Sequence, residues 1–477
     1  MKARFGAALL LAALAGCATP PPKRSVQRLP TPPTWSAAGR TNGFAEGAWW
    51  RDLGSPKLAA AVEEALRRNH DLKAAWARLD AAAAQARIAG ASLYPQLGFS
   101  ADARRQQQVF VGLPIPGREG SVLKSLSSSH GINFNVSWEL DVWGRVRAAK
   151  RAAAADFQAA QEDYRAAMAS LAAQTAKAWI AAVEARKQLE LAQATAAIFE
   201  RTARQVRRRY ERGLRGALDL RTALHNAESA RATVAARRAA RDAALRRLET
   251  LLGRYPGGTL PLEEDLPRGL KPIPAGLPSE LLGRRPDVAA AERRLAAALE
   301  RVKEAKRAFL PSISLTATGG RASSRLEDLV KDEVTIWALA GNLAQPLFQG
   351  GRLRANLSLN RANARQALER YLSTALTAFR EVEAALAAEE FFAEQEAALA
   401  RAAAQARRAE QLAEDRYLRG LEPFLTLTDA QRSLYNLESQ CLAARRQRLE
   451  NRIDLCLALG AGVPEMERTA LAAKGKE

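Results

Sequence analysis

The 477-residue chain is poor in the side chains that usually carry chemistry, with three His, three Cys and three Met. His70, His130 and His225 lie far apart, and no Gly-rich phosphate loop with a following Lys and Ser or Thr is present. No metal or nucleophile constellation stands out, so an enzyme would have to assemble its site from scattered residues. The sequence therefore points to a protein with no catalytic residues, no metal and no resident cofactor. Cys441 and Cys456 stand 15 positions apart in a helical stretch. That spacing puts them about 22 Å apart along the axis, beyond disulfide reach, so they read as packing residues. Long hydrophobic runs are scarce as well. The apolar run from Phe5 to Leu14 is too short to span a bilayer, and with Lys2 and Arg4 before it, it reads as an export signal.

Acidic residues are outnumbered, 51 against 72 Lys and Arg, for a net charge of +21. Such a balance suits nucleic acid, anionic lipid or an acidic protein. Arg is interspersed with Glu along the helical stretches and an exported chain rarely meets DNA, so nucleic acid is set aside. The apolar run ends in Leu14-Ala15-Gly16-Cys17, which resembles the bacterial lipoprotein signal. That resemblance implies a covalent diacylglycerol and N-acyl lipid on Cys17, and the absence of Asp just after it implies sorting to the outer membrane. Ala13-Leu14-Ala15 also suits ordinary signal peptidase, which would leave Cys17 unmodified. The signal is expected over 1–16 and the lipid anchor with its tether over 17–48, where six prolines between Pro20 and Pro33 favour an extended chain.

Glycine and proline vanish entirely from two stretches of 68 residues, one between Gly144 and Gly213, the other between Gly351 and Gly420. The offset is 207 in both. At that offset Arg145-Val146-Arg147-Ala148 falls on Arg352-Leu353-Arg354-Ala355, and Arg209-Tyr210 with Arg212-Gly213-Leu214 falls on Arg416-Tyr417 with Arg419-Gly420-Leu421. Upstream an offset of 216 pairs Asp71-Leu72 with Asp287-Val288 and Tyr94-Pro95 with Leu310-Pro311. The change in offset lies between Pro95 and Trp138, where a loop absorbs it. The chain is thus two copies of one unit. Repeat 1 is expected over 49–252, a Gly- and Pro-dense linker over 253–280, repeat 2 over 281–459 and a tail over 460–477.

Each copy reads as helix, β-hairpin, very long helix, tight turn, helix. A breaker-free stretch rich in Ala, Leu, Glu and Arg would extend about 100 Å as one helix. Each ends at a Gly suited to a left-handed cap, and Pro423 suits the first turn of the helix that follows. Alanine blurs the heptad signal, which implies close small-residue packing between neighbours. The hairpins are expected at about 95–142 and 311–349. Ile132, Phe134, Val136 and Trp138 alternate there with Asn133, Asn135, Ser137 and Glu139, and Leu97, Phe99, Ala101 and Ala103 alternate likewise. Such alternation fits a half-buried sheet or a membrane strand with lipid on one side and water on the other. The lipoprotein-like signal favours the second. Four strands cannot close a barrel and an open edge cannot stand in hydrocarbon, so a membrane barrel must be shared between chains.

These residues resemble the TolC-like outer-membrane factors, and within them the lipoprotein subgroup typified by OprM and NodT. The resemblance rests on Leu281-Leu282-Gly283-Arg284-Arg285-Pro286-Asp287-Val288 with Ala291-Glu292-Arg293, on Gln345-Pro346-Leu347-Phe348 with Gly350-Gly351-Arg352, on the two Arg-Tyr-x-x-Gly turns, and on Trp49-Trp50 with Leu53-Gly54. His70 departs from it, since the subgroup usually has proline there. The fold implied is mixed α and β: a long α-helical barrel continuous with a transmembrane β-barrel, four strands per chain, shared by a homotrimer. The function implied is a passive exit duct of a tripartite, RND-type efflux system, docked to a periplasmic adaptor and an inner-membrane pump. Two alternatives stand beside it, a lipid-tethered periplasmic coiled-coil scaffold and an outer-membrane factor of another exporter type. Leu425, Asp429 and Arg432 match the subgroup's periplasmic gate and share one helical stripe. The family often has an acidic residue where Thr426 stands and a basic one near Glu422. The first turn carries Arg204, Arg207, Arg208, Arg209, Arg212 and Arg215 against Glu211, whereas Glu410, Glu414, Asp415 and Glu422 offset the second. Such a run is either a solvated face or a surface that steers an acidic adaptor, and on the second reading Arg212, Gly213, Leu214 and Arg215, with Gly420 and Leu421, are the expected adaptor-contacting tips.

Overall fold

A computed structural model of the chain describes residues 34–37, 48–110, 123–267, 273–276 and 278–461. Cys17, the signal and most of the expected tether and tail lie outside the described residues. After a single turn at Trp49–Arg51 come α1 (Pro56–Arg68), α2 (His70–Ala91), β1 (Gln96–Phe110), β2 (Leu123–Leu140), α3 (Arg145–Glu211) and α4 (Ala217–Leu251). The second copy follows as α5 (Pro278–Arg284), α6 (Pro286–Arg307), β3 (Ser312–Ser323), β4 (Thr335–Ala344), α7 (Arg352–Leu418) and α8 (Phe424–Ala458). Helices α3 and α7 each run 67 residues, unbroken as their lack of Gly and Pro predicts. The buried face of α3 is mostly alanine, which lets its neighbours approach closely. Asp141 fixes where α3 begins, its two carboxylate oxygens each accepting a backbone N–H, from Val146 and Arg147, at 2.9 Å. Pro423 stands one residue ahead of α8 rather than in its first turn, with an extended ψ of 153°.

The two offsets seen in the sequence meet in space. Asn69 precedes α2 and donates its amide to Leu251 O at 3.0 Å; its equivalent Arg285 precedes α6 and donates to Ala458 O at 3.3 Å. Each residue thus pins the start of one helix to the end of the hairpin in its own repeat. Gly253 and Gly460 complete the joint. Both have positive φ, and a Cβ there would lie 2.9 Å from Arg68 O and 3.0 Å from Arg284 O. Arg285 also binds Asp287 and Glu381, each at 2.7 Å. Burial works against its charge, but these carboxylates outweigh it and hold the guanidinium above its ordinary pKa. Around these joints sit two apolar clusters. One is built on Trp49, Trp50 and mid-α3, the other on Leu281, Val288 and mid-α7. Trp35 falls within the stretch expected as tether over 17–48. Its ring is buried in the second cluster and its indole N–H donates to Ala275 O and Gly276 O.

The four strands form one antiparallel sheet in the order β1-β2-β3-β4. Its register collects the apolar residues on one face: Leu97, Val136, Ala317 and Leu339 make one row, and Phe99, Phe134, Gly319 and Trp337 the next. The opposite face carries rows such as Gly98, Asn135, Thr318 and Ala338. The apolar face is left bare, with Trp337 at 81% exposure and Leu97 and Phe99 similarly open. Both edge strands, β1 and β4, are unpaired on their outer side among the described residues. No helix among the described residues is long and apolar enough to cross a membrane.

Candidate functional site

At the far ends of the long helices, two tight turns lie side by side. In the first, Gly213 has φ 72° and its N–H donates to Tyr210 O, while Leu214 N–H donates to Arg209 O. In the second, Gly420 has φ 78° and its N–H donates to Tyr417 O, while Leu421 N–H donates to Arg416 O. Both are glycine-dependent helix ends that satisfy the last carbonyls, as the Arg-Tyr-x-x-Gly pattern predicts. Leu214 and Leu421 project into solvent.

Between the turns, Tyr417 is fully buried, its ring 5.8 Å from that of Phe424. The guanidinium carbons of Arg209 and Arg215 sit 5.0 and 5.1 Å from its ring centroid. Arg209 also donates to Leu418 O at 3.0 Å. The first tip therefore clasps the second through a cation–aromatic stack closed by backbone acceptors. The Tyr417 hydroxyl is buried without a hydrogen-bond partner among the described residues. Its repeat equivalent Tyr210 is 42% exposed. In the sequence both tyrosines read only as marks of the repeat and of the family resemblance. Identical motifs gave no signal that one was a lock and the other a surface residue.

The clasp divides the arginine run. Arg209 and Arg215 turn inward, Arg215 also lying 3.9 Å from Asp219, and Arg204 lies 3.9 Å from Glu200. Arg207, Arg208 and Arg212 stay exposed, with no ion pair among the described residues. The second tip is self-paired, Arg416 with Glu422 at 3.1 Å and Arg419 with Asp415 at 3.0 Å. Glu410 is buried beneath it; burial, and next the nearby Glu414, push its carboxyl above the ordinary value.

Leu425, Asp429 and Arg432 do share one stripe of α8, and Leu425 is 63% exposed. Asp429 makes no ion pair among the described residues. Arg432 instead reaches across to α4 and donates to Asn226 Oδ1 at 3.0 Å. Its guanidinium is drawn to the neighbouring helix, leaving the Asp429 carboxylate in solvent.

The profile of the family described as outer membrane efflux protein matches residues 61–254 and 277–461. Outer membrane protein OprJ of Pseudomonas aeruginosa is 34% identical over 97% of this chain and 97% of its own length. The toluene efflux pump outer membrane protein TtgF of Pseudomonas putida is 32% identical over 99% of this chain and all of its own. Among solved structures, the Campylobacter jejuni CmeC outer membrane channel superposes with a TM-score of 0.85 at 26% identity. It covers 96% of this chain and 97% of that one.

Proposed function

The chain belongs to the outer membrane efflux protein family and is the outer-membrane channel component of an efflux system; from that premise we propose that three copies close one twelve-stranded barrel. The observation that carries this reading is the open, one-sided sheet. Its uncovered apolar band faces lipid, its polar face lines a lumen, and the free edge of β4 pairs with β1 of the next copy. Three chains supply twelve strands, and their α3/α4 and α7/α8 hairpins form the tunnel below.

In this reading the duct is passive, and a periplasmic adaptor and inner-membrane pump supply the energy. The exposed Arg207, Arg208 and Arg212, with Leu214 and Leu421, meet the adaptor, the arginines steering an acidic surface. Leu425 and Asp429 form rings at the entrance. Exposed ion pairs are worth only ~0–1 kcal/mol, so the Leu425 ring must exclude water as well. Cys17, outside the described residues, carries the lipid, and the barrel is an independent attachment.

Native mass spectrometry and bilayer recording of the purified chain test this together. The expected result is a trimer that conducts, with Cys17→Ser losing the lipid mass yet still inserting. A chain that stays monomeric after lipid reconstitution refutes the shared barrel; an unmodified mature N-terminus refutes the anchor.

A further inference from the structure

Just above the Tyr417 clasp, helices α3, α4 and α8 border a solvent-open pocket of about 320 Å³ lined by Thr195, Phe199, Asn226, Ala230, Arg432 and Tyr435 among others. Among the described residues, the exposed Arg432 supplies its one formal charge and no carboxylate lines it. The protein partner of Arg432 is a neutral amide oxygen, Asn226 Oδ1 at 3.0 Å. With that oxygen occupied, the amide nitrogen of Asn226, a residue only 3% exposed, has no acceptor among the described residues. The buried Tyr435 hydroxyl has no partner either. The Arg432 guanidinium, the Asn226 amide N–H and the Tyr435 phenol thus face one space, beside the hydroxyls of Thr195, Ser229 and Thr233 and the amide of Asn436.

Buried polar groups are normally matched by protein, water or ligand, so the Asn226 amide and the Tyr435 hydroxyl are free to meet an acceptor that enters from solvent. One positive charge with neutral donors around it matches a monoanion, and the planar guanidinium favours the two oxygens of a carboxylate. Phe199 and Ala230 form an apolar wall beside these donors, which suits a hydrophobic body attached to the anion. The larger cavity beside Arg285, about 730 Å³, makes the contrast clear: its guanidinium already binds Asp287 and Glu381 and requires nothing more.

We propose that the α3–α4–α8 cavity is a binding site for small aromatic or aliphatic carboxylic acids, the carboxylate held by Arg432, Asn226 and Tyr435 and the apolar body by Phe199. A bound carboxylate joins α4 of the first hairpin to α8 of the second. The site is a property of one chain and stands independently of trimer assembly and of transport.

The test is isothermal titration of the purified full-length protein with benzoate, with benzyl alcohol as a neutral analogue of the same shape. Benzoate should bind saturably, and benzyl alcohol at least about tenfold more weakly, the worth of one hydrogen bond to a charged group. Arg432→Gln should weaken benzoate by a similar factor and Tyr435→Phe by roughly two- to tenfold. Tyr435→Phe removes one oxygen, so it remains informative if the arginine variant fails to fold. Absence of saturable binding up to roughly 10 mM, equal binding of benzyl alcohol, or benzoate affinity unchanged in both variants overturns the proposal.

Discussion

Tyr417→Ala removes the ring that the first tip clasps. Deleting a buried aromatic side chain costs about 3–5 kcal/mol. Part of that is recovered, since the unpartnered Tyr417 hydroxyl no longer sits desolvated, a relief of about 1 kcal/mol. A net loss of about 2–4 kcal/mol, confined to the tips, corresponds to a roughly thirty- to several-hundred-fold rise in local opening. Hydrogen exchange of the backbone at 205–220 and 410–430 should accelerate by that factor, and bilayer conductance should rise with it. Tyr210→Ala is the control, the same residue at the equivalent place in the other repeat but exposed. Its effect should stay within about 0.5 kcal/mol. Tyr417→Phe sharpens the test, because it keeps ring, stack and packing and deletes only the unsatisfied oxygen. It should leave the tip as closed as before or tighter. Should Tyr417→Phe open the channel as Tyr417→Ala does, the hydroxyl has a partner across chains and the clasp account fails. Should Tyr210→Ala match Tyr417→Ala, the asymmetry between the tips has no functional weight.

Arg285→Met should destabilise the joint of repeat 2 by about 2–3 kcal/mol, less than a fully buried pair would cost because Asp287 and Glu381 remain solvated; Asn69→Ala in repeat 1 should cost about 1 kcal/mol. Chemical denaturation with local hydrogen exchange at 284–290 and 455–460 for Arg285→Met, and at 68–74 and 249–254 for Asn69→Ala, checks the order, and a larger effect of Asn69→Ala contradicts it. Glu410 ionises less readily in the fold than in the unfolded chain, so its unfavourable contribution appears as pH rises through the ordinary carboxyl range and is complete above the folded value. Glu410→Gln should therefore slow exchange in 405–430 at about pH 7 and change little at about pH 3, where both side chains are neutral.

Much of this architecture was legible because Gly and Pro are absent from the two longest stretches. The 68-residue gaps in Gly and Pro gave the lengths of α3 and α7, and the Gly213 and Gly420 turns fell where the left-handed cap requires them. The alternation around Ile132 and Phe134 gave the strands. Side-chain partners were much less legible, for a physical reason. Asn69 and Arg285 do the same work with different chemistry, so residue identity hides their equivalence, whereas Tyr210 and Tyr417 share identity and differ in environment. Partner choice depends on which helix lies across the gap, as when Arg432 takes Asn226 of α4 instead of Asp429 on its own helix.

Alternation alone could not decide between an ordinary soluble sheet and a membrane strand, because both put apolar residues on every second position. Register decides it. Rows drawn from both repeats, such as Phe99, Phe134, Gly319 and Trp337, align across all four strands, so the apolar positions of two sequence-distant hairpins merge into one band. A soluble sheet of that composition has to bury the band against a helix or a second sheet. Here Trp337, Leu339, Leu97 and Phe99 all remain exposed, and the long helices extend from the strand ends instead of packing across the face. A tethered scaffold would carry that band into water, with two free strand edges beside it. Lipid is the solvent that such a surface suits, and in the proposed barrel closure with further copies removes the edges.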